Sequence, residues 1–146
     1  MDLKDNAILN LLLENSRLSC REMAKKVGCS VVTIINHLRE LEQQGVIKNY
    51  SVSLDYEKLG YDITALIKLR ISRGRLIEVE KKIAIHPQVF AVYDITGDFD
   101  SVVLAKFRSR KALDAFLKKI QTYDFVERTE TNLILNIIKE RNIPVE

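Results

Sequence analysis

The stretch from Ser19 to Gly45, SCREMAKKVGCSVVTIINHLRELEQQG, constrains the chain more than any other, because it writes two short helices joined by a tight turn. Ser19 followed three residues later by Glu22 is a capping box, in which hydroxyl and carboxylate satisfy the free backbone donors of a helix start. A first helix is expected from Cys20 to about Val27. Gly28 can take the left-handed conformation that ends it, and Ser30 can cap the next helix only two positions later. In that second helix Val31, Ile34, Leu38 and Leu41 fall on one buried stripe, and Gly45 supplies the stop.

The opposite face offers Val32, Thr33, Asn36 and His37, one turn into the helix, where a reading helix in a major groove brings its N-terminal residues to base edges. Asn pairs in bidentate fashion with adenine, Thr and Val suit the thymine methyl, and His can donate to a base or a phosphate. Arg21, Lys25, Ser30 and Arg39 are placed for phosphate contacts, which position a protein without specifying sequence. Ile35 lies partly outside the core stripe and is expected to pack against a neighbouring helix or domain. Spacing alone fits an ordinary angled helix pair as well.

The order S-x-x-E-M-A, V-G-C-S and L-E-Q-Q-G-V-I resembles the helix-turn-helix of the Lrp/AsnC (feast/famine) transcription regulators, and the likeness runs along nearly the whole chain. His37 stands where that family commonly carries Arg. The resemblance implies a DNA-reading N-terminal domain and a C-terminal domain that oligomerises and binds an effector.

Composition is consistent with this and would not have suggested it. The chain has 146 residues, enough for two small domains, with 47% apolar and 29% charged residues. No apolar run is long enough to cross a bilayer and no signal peptide is visible, so a cytoplasmic protein without a membrane partner is expected. The net charge is only +3, and residues 1–50 carry seven Lys/Arg against six Asp/Glu. DNA affinity would therefore have to come from pairing two reading helices in a dimer. Cys20 and Cys29 flank a helix that holds them more than ~7 Å apart, beyond disulfide reach. With His37 they lack zinc-ligand spacing, and no metal or cofactor is expected.

Ahead of the capping box, Asp2 or Asp5 can cap a supporting helix with Leu3, Ala7, Ile8, Leu11 and Leu12 on its apolar face. After Gly45, the β-branched and aromatic run Val46 to Leu54 reads as a connecting strand that pairs with its copy in a second subunit, and a linker continues to Gly60. These boundaries give a helix-turn-helix domain at 1–45, a connector at 46–60 and a second domain at 61–146.

From Tyr61 strand and helix alternate: Ile63 to Ile71, helix Arg75 to Ile85, Val89 to Thr96, Ser101 to Phe107, helix Lys111 to about Thr122, and Val126 to Ile138. His86-Pro87 breaks the first of these helices. The order βαββαβ is the ferredoxin-like arrangement, and the fold class is α+β. Helices cover one sheet face, and both faces of the central strands look largely apolar. The other face is therefore expected to be hidden against a second copy.

Thr96-Gly97-Asp98-Phe99-Asp100 is a hairpin turn by composition. By resemblance, G-D-[aromatic]-D borders a small-molecule pocket between dimers. Amides after Gly97 can take an amino-acid carboxylate, and Asp98 or Asp100 its ammonium, with Phe99 beside them. Thr129 and Thr131 can add hydroxyls from a neighbouring subunit. Catalysis has little to stand on, since neither His37 nor His86 is near a Ser or Cys nucleophile by pattern and no phosphate loop appears.

Three functions compete. A sequence-specific, amino-acid-responsive DNA regulator leads, dimeric or assembled into tetramers or octamers. A metabolic enzyme or sensor built on the second domain comes next. An architectural protein coating DNA is third, disfavoured by the weak charge.

Overall fold

The computed structural model describes residues 2–146. The chain divides into two compact units: one runs to Leu54 and takes in Lys139–Glu146, and the other is Asp55–Ile138.

The first unit is a trio of helices, α1 (Leu3–Glu14), α2 (Cys20–Val27) and α3 (Val31–Gln43). Asp2 caps α1, accepting from the amides of Lys4 and Asp5, while Asp5 returns a bond to the Asp2 amide. Ser19 and Glu22 form the expected box at the start of α2, which ends on Gly28 at φ 75°. Ser30 caps α3 through the Thr33 amide. Ile8, Met23, Ala24 and Ile34 make the core, with Leu11, Leu12, Leu18, Val27 and Leu38 packed around it. The buried stripe of α3 is narrower than its spacing implies: Ile34 and Leu41 are buried and Leu38 is half-buried, but Val31 is exposed. It sits in the first turn, past the edge of the core.

Between Val46 and Leu54 no ladder forms within the single chain, where none was expected without a second copy. The start of this run is fixed instead. The amides of Val46 and Ile47 both reach the Leu41 carbonyl, and the Tyr50 hydroxyl donates to Glu42 at 2.7 Å.

The second unit is the α+β arrangement expected: β1 (Ile63–Ile71), α4 (Leu76–Ala84), β2 (Val89–Asp94), β3 (Ser101–Phe107), α5 (Arg110–Gln121) and β4 (Val126–Ile134). The antiparallel sheet has the order β2-β3-β1-β4. Alternation sends Ala65, Ile67, Leu69 and Ile71 of β1 and Val103, Ala105 and Phe107 of β3 to one face. There they pack on Val79 and Ile83 of α4 and on Leu113, Phe116 and Ile120 of α5. The last strand stops at Ile134, four residues before its expected end.

The opposite face is less apolar than anticipated. Leu66 pairs with Leu104 and Lys68 with Val102, but Lys68 also bridges to Glu130 across β4. Lys106 stands over the rings of Tyr56 and Phe90. Long cationic stems thus cover part of what the alternation alone leaves open.

Candidate functional site

Exposure on α3 defines a surface slightly different from the expected one. Val32, Ile35, Asn36 and Arg39 lie at i, i+3, i+4 and i+7 and are all exposed, Val32 at 64% and Ile35 at 40%. Ile35 is therefore part of the outward row, not packed on a neighbour. Thr33 is half-buried at its margin, with its hydroxyl 2.8 Å from that of Ser30. His37 is turned inward. Its Nδ1 meets Asp5 Oδ1 at 2.7 Å, and its side chain is only 18% exposed. A base or phosphate contact from His37 has to work around that bond, because the helix places it over α1 and not on the row of Asn36.

Arg21 and Lys25 of α2, with Lys26 beside them, are exposed, and among the described residues neither they nor Arg39 enter an ion pair. Cations left without a carboxylate beside a helix corner are available to a phosphate backbone. Asp2, Asp5 and His37 bring potential metal-ligand atoms within 4.8 Å. Capping accounts for the cluster: Asp2 Oδ1 takes two amides, and Asp5 takes the Asp2 amide and His37.

In the second unit the turn after β2 folds over the end of β1. Gly97 has φ 111°, the Asp98 carbonyl accepts from Arg70 at 2.8 Å, and the Asp100 amide donates to the Leu69 carbonyl at 2.9 Å. Asp100 Oδ2 accepts from the Ile71 amide at 2.7 Å, beside a register shift between β1 and β4. Asp100 is thereby committed to the backbone, and Asp98 holds the freer carboxylate. The Phe99 ring lies between Lys68 and Arg128, each 5.1 Å from its centre. Lys68 holds the Glu130 carboxyl below its ordinary range.

Thr129 and Thr131 do not join this turn in their own chain. They pair with Leu69 and Ile67, whose side chains face the helices, and Thr129 accepts from Gln121 at 3.0 Å. Their neighbours Arg128 and Glu130 point the other way, toward Phe99. Sequence spacing does not bring Lys68, Arg70, Arg128 and Glu130 together around this turn, because their meeting depends on the strand register.

His86 closes the gap between α4 and α5. Its Nε2 lies 2.8 Å from the Tyr123 hydroxyl and its ring meets Phe116 edge-on, and burial, then Lys119, pushes its pKa down.

The family model for the Lrp/AsnC ligand binding domain matches residues 64–144, and one for winged helix-turn-helix DNA-binding matches residues 1–48. The chain belongs to the Lrp/AsnC family of transcriptional regulators. It is 47% identical over 136 residues to the uncharacterized HTH-type transcriptional regulator PF1734 of Pyrococcus furiosus, covering 93% of this chain and 92% of that one. The HTH-type transcriptional regulator FL11 of the same organism is 32% identical, over 97% of this chain and 95% of its own. The structure of E. coli AsnC superposes with a TM-score of 0.92 at 29% identity, covering 99% of each chain. This Lrp/AsnC protein is a transcriptional regulator with a helix-turn-helix for DNA and a ligand-binding domain. No helix among the described residues is long and apolar enough to cross a membrane.

Proposed function

We propose that the protein is a sequence-specific regulator in the cytoplasm that reads double-stranded DNA with the row Val32, Ile35, Asn36 and Arg39, as a dimer or a higher assembly, and not an enzyme. The observation that carries this reading is the exposure of that row immediately after the Ser30 cap. Asn36 supplies the hydrogen-bonding edge, Val32 and Ile35 the apolar contact to thymine methyls, and Arg21, Lys25, Ser30 and Arg39 the phosphate anchors. Thr33 and His37 buttress the row. Two such helices on a two-fold axis read half-sites ~34 Å apart, or a multiple of that.

The effector is an amino acid held between dimers at the Gly97–Asp100 turn. The amides after Gly97 take its carboxylate, Asp98 its ammonium, and Phe99 flanks its side chain. It changes DNA binding only by its difference in affinity for alternative assemblies, tetramer or octamer among them. Gel shifts on fragments enriched from a random DNA pool test the first part: an Asn36→Ala variant that keeps wild-type selectivity removes α3 as the reader. Calorimetry with the twenty amino acids, paired with light scattering, tests the second, and a panel in which none binds removes the effector assignment.

A further inference from the structure

The carboxamide of Asn10 on α1 pairs at two points with the backbone of Val145. Asn10 Nδ2 donates to the Val145 carbonyl at 2.9 Å, and the Val145 amide donates to Asn10 Oδ1 at 2.8 Å. A side-chain amide here does what a neighbouring strand would do, across 135 residues of sequence. One turn earlier on the same flank, Asn6 Oδ1 is buried without a donor. Along the helix the two asparagines are ~6 Å apart. With the segment seated at Asn10, Asn6 takes no bond from it, so the pairing is confined to Val145.

We infer that Asn10 on α1 is a seat for an extended peptide backbone, and that its occupant is the chain's own segment 139–146, a strap that engages and releases α1 at one point. Of Lys139–Glu146 only Val145 is even half-buried, and among the described residues no other hydrogen bond ties the segment down. Pro144 lacks an amide to satisfy and keeps Ile143 extended, which suits a chain bound by its backbone. A strap held by two hydrogen bonds and one side chain is easily lifted. It continues from β4, so a change at Arg128 or Glu130 has a covalent path to the helix whose Asp5 holds His37.

Amide exchange on the full-length chain, resolved by NMR, tests this directly and needs neither DNA nor an effector. The Val145 amide is expected to be protected in the wild type, to the same degree at all protein concentrations. In Asn10→Ala, which leaves a good helix former in α1, it should exchange roughly 10- to 100-fold faster, as loss of two modest hydrogen bonds implies. The Ile67 amide in β1 should not change. A second variant lacking residues 144–146 should speed exchange in α1 without unfolding the unit. Val145 exchanging like an unstructured peptide, or unaffected by Asn10→Ala, would overturn the seat. Protection that falls on dilution would give it to a second copy, and α1 exchange unchanged by the truncation would overturn the strap.

Discussion

Asp5 in the first turn of α1 holds His37 in the middle of α3, oxygen to nitrogen at 2.7 Å, with both side chains largely buried. The Asp2 amide, and then His37, keep the Asp5 carboxyl below its ordinary range against the opposing effect of burial. A depressed folded value means the stabilisation is whole above about pH 4 and is lost as pH falls through the folded value. Asp5→Asn should therefore lower the stability of the helical unit by about 1 kcal/mol at neutral pH and flatten its acid dependence. Thermal melts of both proteins from pH 7 to 2 would show it.

Reading and bracing should separate in DNA binding. Asn36→Ala should cost about 1–3 kcal/mol on the preferred sequence and relax choice at one base pair. Arg39→Ala should weaken all sequences evenly and reduce the salt slope by about one. His37→Ala should weaken all sequences evenly but leave the salt slope unchanged, since its ring is engaged with Asp5 and touches no phosphate. Salt-series titrations on preferred and scrambled fragments distinguish these outcomes.

The two turn carboxylates should behave differently. Asp100→Ala strands the Ile71 amide and should cost about 1–3 kcal/mol of stability, with Asp100→Asn recovering part of it. Asp98→Ala touches only an exposed carboxylate and should leave the melting temperature within a degree or so while weakening amino-acid binding. Calorimetry on each variant, alongside melts, checks both halves.

Burial and the bond to Glu42 push the Tyr50 hydroxyl up to about 12. The raised folded value favours the protonated phenol, so its stabilisation is present below the unfolded value and fades as pH climbs through the folded one. Ultraviolet titration should show one tyrosine ionising late, near 12, that disappears in Tyr50→Phe. In Glu42→Gln it should move down.

Local chemistry made the helical corner legible: Ser19 with Glu22, Gly28 and Ser30 each act within a few residues, and all four do what their types imply. The strand and helix order of the second unit was legible for the same reason. Long-range pairings were not. His37 looked free because Asp5 lies 32 positions away, and Ile35 looked buried because hydrophobicity does not reveal where a small core ends. Which side of the sheet Thr129 and Thr131 take in their own chain is set by pairing with Leu69 and Ile67, which spacing alone does not reveal.

Because successive residues of β4 serve opposite sides, its spelling has a parity. Removing one residue between Arg128 and Ile134 would bring hydroxyls to the Phe99 side and drive charges into the layer beneath α5. Relatives that change length within this strand should therefore do so by two, or absorb the odd residue at the irregular step opposite Arg70 and Ile71.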